Sequence, residues 1–293
     1  MSDKQKNYKT EWTFSFDRVG ESIRNLVGEV REAVDGEPEE IKFASFSEAL
    51  NGREQASVYI DFGTGVSSVT PLVASDNLIE ADINYVGEVE FTVDDDDATT
   101  PTVVLRQLDG SFKRTIKTAR NLNKDEDGDQ LRWDIRLNPT IPLRLDFRGG
   151  VGKLDLNLAG LNLTYFDYDS GVGAAEITLP APAARYEADV EAGVGSTTLT
   201  LLDNTDIELD ITGGVGRTRV VIPPQAAVRV EAVVGMGSLG LPDHFAKQEG
   251  NRHLIGERGI WQTANYETAE RRIDITFEGG VGKFEIVAAS TVV

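Results

Sequence analysis

Leu143-Arg144-Leu145-Asp146-Phe147-Arg148-Gly149-Gly150-Val151-Gly152-Lys153-Leu154-Asp155-Leu156-Asn157-Leu158 is the stretch on which the fold turns. Leucine or phenylalanine alternates with charged or polar residues on both sides of a glycine bend. That is the pattern of two half-buried strands, apolar side chains on one face and solvated ones on the other. Glycine at the bend reaches φ > 0 and lets backbones approach with no Cβ between them. The bend returns at Gly150/Gly152, Gly171/Gly173, Gly193/Gly195, Gly214/Gly216, Gly235/Gly237 and Gly280/Gly282, at intervals of 21, 22, 21, 21 and 45 residues. A fixed period of that size marks a repeat architecture, in which each unit buries its apolar face on its neighbours.

The spacing predicts an all-β protein, a parallel β-solenoid whose coils each hold two short strands and two corners. An up-and-down meander of hairpins satisfies the same period; identical corners at constant spacing favour the solenoid. Each inward Leu, Val or Ile contributes about 1.5–3 kcal/mol by burial. The Val or Met between paired glycines is expected to point inward at the corner. The long interval before Gly280 reads as one disguised repeat, with Gly256-Glu257-Arg258-Gly259 at the turn.

Upstream, the grammar is looser. Ser57 to Phe62 runs into Gly63-Thr64-Gly65 and Val66 to Val69, and Ile79 to Tyr85 runs into Gly87 and Val89 to Val93. Asp94 to Asp97 must form a loop. Val103 to Leu108 and Leu131 to Leu137 read as strands separated by the polar segment 121–130. Further upstream the period changes: Phe16, Val19, Ile23, Leu26, Val30 and Ala33 recur in steps of three and four, an amphipathic helix closed by Asp35-Gly36-Glu37-Pro38. Four segments result: 1–40, a tail and this helix; 41–142, degenerate β repeats; 143–288, regular repeats; and 289–293, a tail.

With 40% apolar residues the chain has enough to build a core. A formal charge of −20 excludes nucleic acid as a partner and disfavours anionic lipid headgroups. There is no cysteine, so disulfides, thiolate metal sites and cysteine nucleophiles are excluded. Residues 1–11 lack the apolar core of a secretory signal, and no apolar run approaches 18 residues. The expectation is a cytoplasmic protein that reaches a membrane only peripherally or through a partner.

Asp210-Ile211-Thr212-Gly213-Gly214-Val215-Gly216, then Val221-Ile222-Pro223, Ala227 to Ala232 and Val234-Gly235-Met236-Gly237-Ser238 resemble LiaF-like domains of the toast-rack superfamily, also described as cell-wall-active antibiotic response or adhesin-like domains. Phe277-Glu278-Gly279-Gly280-Val281-Gly282 fits the same pattern. The resemblance covers residues 143–288, and 41–142 resembles the N-terminal toast-rack extension. It implies a β-helical stack and a role in envelope-stress signalling or surface interaction without catalysis.

Several strings imitate chemistry. Gly149 to Lys153 and Gly279 to Lys283 suggest a phosphate loop, but a strand follows where a helix is required. Gly235 to Gly240 fits a dinucleotide fingerprint, and Leu241-Pro242 removes the helix that would hold a pyrophosphate. Asn123, Asp125, Asp127, Asp129 and Asp134 overlay a calcium loop; against it, Gln130 takes the apolar slot and Asp134 lies in an alternating strand. His244 and His253 have no zinc spacing, and a Ser238–His244–Asp243 nucleophile lacks its elbow. Asp167 and Asp169 share a strand face, the one arrangement reminiscent of polysaccharide-processing β-helices. Trp12, Trp133 and Trp261 are too dispersed for a sugar platform. No catalytic residue and no cofactor are predicted.

The sequence therefore points to a non-enzymatic interaction or regulatory module whose partner is a protein or a second copy of itself. An adhesin-like surface protein and a polysaccharide-processing enzyme are the alternatives. Replacing Leu156 with Asp is expected to unfold part of the stack, costing about 3 kcal/mol or more, read as a lowered circular-dichroism melt.

Overall fold

The computed structural model describes residues 40–95, 100–108, 131–249 and 257–289. The predicted N-terminal helix, Trp12, His253 and the Asn123–Asp129 string lie outside them. The described chain is all-β apart from one 3-10 turn, Tyr266–Thr268. One mostly parallel sheet folds at the glycine corner into a front face, of strands that precede the corner, and a back face, of strands that follow it.

On the front face β2 (Ala56–Asp61), β8 (Pro142–Arg148), β10 (Asn162–Asp169) and β12 (Tyr186–Glu191) pair in parallel. On the back face β3 (Thr64–Pro71), β9 (Val151–Asn157), β11 (Val172–Leu179) and β13 (Val194–Leu201) do the same. The 16-residue strands β14 (Ile207–Ile222) and β18 (Ile273–Ala288), and β15 (Val228–Gly240), run through the corner and belong to both faces. β14 pairs with β12 and β13 on one side and with β18 on the other; β15 pairs with the far side of β18.

Inward side chains fill the space between the faces by matched size. The back-face row nearest the corner is Trp133, Ser67, Leu154, Ala175, Thr197, Thr218 and Phe284. The facing row is Ile60, Phe147, Tyr168, Val190, Ile211 and Phe277. Large Tyr168 thus stands in the coil of small Ala175, and Ser67 makes room where Phe62 meets Trp133 edge-on at 5.6 Å. In the β18 coil both positions are aromatic, and Phe277 and Phe284 stack at 3.9 Å. Buried Leu143, Leu145, Leu156 and Leu158 are the leucines that the alternation assigns to the core.

The corner imposes the strictest condition. Gly195 has φ +135°, and a Cβ built there would lie 1.9 Å from the carbonyl oxygen of Gly173 in the preceding coil. Gly193 would meet Gly171 O at 2.0 Å. Two columns of glycine run down the stack because the neighbouring coil's carbonyls occupy the Cβ positions. The residue between them does not point inward as expected: Val194 is 36% and Met236 50% exposed, and Val151, Val172, Val215 and Val281 are half-buried. The glycine bend turns that side chain outward, and the core rows on either side already fill the interior.

Two further expectations are corrected. Ile79 to Val93 is not a coil: β4 (Asn77–Tyr85) is antiparallel to β1 (Lys42–Ala49) and to β7 (Arg132–Leu137), while β5 (Val89–Asp94) is antiparallel to β6 (Thr102–Gln107). β6 and β7 extend the stack in parallel beyond β2 and β3. Gly259 is no corner either: it lies in β17 (Glu257–Gln262), antiparallel to the front half of β15 and to β16 (Ala246–Glu249). Antiparallel hairpins therefore finish the stack where parallel coils stop. The coil that follows β15 in the repeat count, β18, sits between β14 and β15.

Gly195→Ala is expected to destabilise the fold by about 3 kcal/mol or more, since the strained φ is joined by a backbone clash. Gly52→Ala, where φ is +73° but nothing lies within 4 Å, should cost about 1 kcal/mol. Urea midpoints of the two variants against the parent check the contrast.

Candidate functional site

Parallel strands in register superpose equivalent residues, so a side chain repeated at one offset becomes a column. On the outside of the front face Asp146, Asp167, Asp189 and Asp210 are direct register partners on β8, β10, β12 and β14. Adjacent members stand one strand spacing apart, about 4.8 Å. Asp169 and Glu191 pair beside them toward the corner, and Glu187, Glu208 and Asp274 on the other side. Like charges directly opposite one another destabilise a sheet, so this column works against the fold that carries it.

Few cations answer it. Arg144 donates to Asp146 at 3.0 and 3.1 Å while its guanidinium lies 3.9 Å above the Tyr165 ring. The Tyr165 hydroxyl donates to Asp189, which together with burial pushes the phenol up to about 12. Arg148 approaches Asp169 at 3.9 Å, and Arg185 holds Asp274 at 2.6 Å. Burial, then the neighbouring charges of Asp146, Asp169 and Asp189, raises Asp167 above the usual carboxylate range, with Arg144 opposing. Glu191 is raised by burial and by Asp169, with which it shares a hydrogen bond.

On the back face several carboxylates have cation partners. Asp134 takes hydrogen bonds from Arg132 Nε and Ser68 Oγ at 2.6 Å each; burial raises it, and these partners outweigh burial and hold it low. Glu285 is held low by Lys283 first and by Arg219. Asp82 is held low by Arg136 and Ser45. Asp134, Asp82 and Glu285 are thus paired, whereas Asp155 and Glu176 of the same face lie opposite each other in register, as the four carboxylates of the front-face column do. Perturbed groups that oppose stability are a signature of sites kept for another purpose.

Of the residues singled out in the sequence, Asp167 and Asp169 lie in this column and beside it. Asp134 sits on the other face with its partners, apart from the front-face carboxylates. His244 is exposed and rests against Phe245 at 5.0 Å. Trp133 and Trp261 are buried in the core. Gly235 to Gly240 continues along β15, with no helix after it. Among the described residues no group of three acidic or histidine side chains converges as a metal cage requires, and no helix is long and apolar enough to cross a membrane. Asp146, Asp189 and Asp210 went unnoticed in the sequence, yet the signal was present: each aspartate of the column lies four residues before the first glycine of its corner, at Gly150, Gly171, Gly193 and Gly214.

The fold is shared with known proteins. The family model described as the N-terminal domain of toast-rack, DUF2154, matches residues 34–200. That for the C-terminal domain of LiaF, cell wall-active antibiotics response, matches residues 186–286. No curated protein matches. Among solved structures, a candidate cell adhesion protein from Clostridium sporogenes is 20% identical, covers 85% of this chain and 100% of its own, and superposes with a TM-score of 0.57. A candidate adhesin from Bacteroides fragilis is 12% identical over 86% of this chain and 100% of its own, at a TM-score of 0.28. The first shares the fold.

Raised carboxylates contribute stability that is fully present below their unfolded pKa, about 4, and lost as pH rises through the folded value. Asp167→Asn removes the charge permanently. Its urea midpoint should therefore exceed that of the parent at pH 7.5, and the two should converge near pH 4.

Proposed function

The chain belongs to the toast-rack family, and on that footing we propose that it is a non-enzymatic interaction module of an envelope-stress response, which recognises a protein partner through the carboxylate column of its front face. The LiaF-like match over residues 186–286 supports the stress-response setting. The observation that carries the choice of surface is the register of Asp146, Asp167, Asp189 and Asp210. A flat, rigid array of like charges costs stability when unpartnered and is relieved when a basic surface covers it. Rigidity matters because a preorganised surface loses little conformational entropy on association. The partner is accordingly a protein that presents lysine or arginine at strand spacing.

Location follows from the same charge. A body of net charge −20 is repelled by anionic lipid, so contact with the cytoplasmic side of a membrane runs through the partner. Ligand chemistry at the column is association by charge, with no bond made or broken.

Cells that lack the chain, complemented with the parent or with a variant carrying Asn at 146, 167, 189 and 210, test the reading. Under a cell-wall-active antibiotic, the parent should restore a stress-reporter response and the variant should lose most of it. Affinity purification should recover the partner with the parent and at least tenfold less with the variant. Full complementation by the variant would rule out the column as the working surface.

A further inference from the structure

β14 and β15 are consecutive repeats by every local measure. Their first corner glycines, Gly214 and Gly235, are 21 residues apart, as are Gly193 and Gly214 of coils that touch. The connector 223–227 matches the connectors 158–161, 180–185 and 202–206 between coils that are direct neighbours. In the finished fold, however, β14 and β15 do not pair: β18 lies between them along the whole of β15. The three strands share one register. Thr212 aligns with Glu278 and Glu278 with Val233; Val215 aligns with Val281 and Val281 with Met236. Withdrawing β18 would leave Thr212 opposite Val233 and Val215 opposite Met236, the in-phase pairing that the 21-residue repeat itself encodes.

The route of the chain makes the insertion plain. β17 pairs with the outer side of β15 and β18 with the inner side, so residues 263–272 pass over the start of β15. Thr263 N donates to Val228 O and Ile273 N to Ala227 O, both at 2.9 Å. Two arginines then clasp the crossing. Arg271 donates to the carbonyls of Pro182, Ala183 and Asn204 at 3.2–3.3 Å, and Arg185 reaches Asp206 at 2.8 Å and Asp274 at 2.6 Å. The contacts of Arg271 and the Arg185–Asp274 pair exist only with Ile273 seated beside Ile207.

We propose that β18 is an inserted closing strand: β14 and β15 pair with each other first, and Ile273–Ala288 then opens that ladder and enters it. Synthesis from the N-terminus makes β15 available before β18, and local pairs form faster than distant ones. The β14–β15 junction is thereby a two-state element, closed in sequence order or expanded by one coil.

Because the chain has no cysteine, engineered pairs report alone. Thr212→Cys with Val233→Cys reads the direct pairing, since in the finished fold the two lie about two strand spacings apart, near 9.6 Å, beyond disulfide reach. Thr212→Cys with Glu278→Cys reads the finished order, and Thr212→Cys with Arg229→Cys is the off-register control. The full chain is refolded in a reversible thiol–disulfide buffer, quenched by alkylation and counted by mass spectrometry. The 212–233 link should rise early to at least tenfold over the control and fall as the 212–278 link grows. A 212–233 link never above the control, or a 212–278 link that forms first, overturns the proposal. Pulsed hydrogen exchange on the unsubstituted chain gives an independent reading: amides of Val228–Gly240 should be protected before those of Ile273–Ala288, and simultaneous protection overturns it.

Discussion

The structure depends on a contact between backbones at the corner. Each coil places carbonyl oxygens where the next coil's Cβ atoms would stand: a Cβ at Gly195 would lie 1.9 Å from one, and a Cβ at Gly193 2.0 Å. Only glycine satisfies this where another coil lies on that side, and each such corner falls into the same register as the one before; Leu131, in the coil that ends the stack, takes the position aligned with Gly65. The apolar rows, the size matching of Tyr168 with Ala175 and the stacking of Phe277 on Phe284 follow from that alignment. Burial supplies most of the stabilisation; the glycines determine where it is spent.

Alignment is indifferent to chemistry. A leucine repeated at one offset becomes a column of the core, and an aspartate repeated at one offset becomes a column of charge. On the back face Arg132, Arg136, Arg219 and Lys283 offset Asp134, Asp82 and Glu285, while Asp155 and Glu176 face each other; the front face leaves the longer run, Asp146 through Asp210, with Arg144 and the Tyr165 hydroxyl as near partners. The two faces of one repeat thus differ in the length of their acidic run, four aligned aspartates in front against the single Asp155–Glu176 pair behind.

Much of the fold was legible because period-two alternation and glycine spacing are local signals. Leu143 to Leu158 told both strands and the bend between them. Coil order was not legible, because β15 and β18 carry the same grammar and nothing in a 21-residue window says which will neighbour β14. The reading of Ile79 to Val93 failed for a related reason: alternation reports a strand but not its direction, and β4 and β5 proved antiparallel. Val194 and Met236 show that apolar character does not by itself report burial, since the bend turns both outward. The aspartate column is legible in principle, since its offset from the corner is constant, but it shows only when equivalent positions are aligned across repeats.

The antiparallel hairpins at the extremities bear on a hazard of all open sheets. A parallel coil ends in a ladder of donors and acceptors ready to template an identical coil from another molecule. β5 against β6 and β1 against β4 close the first end, and β17 with β16 covers the front half of β15 at the other. Reversing strand direction spoils the match for an incoming parallel copy. The same sequence grammar, left without those reversals, would describe the subunit of a filament.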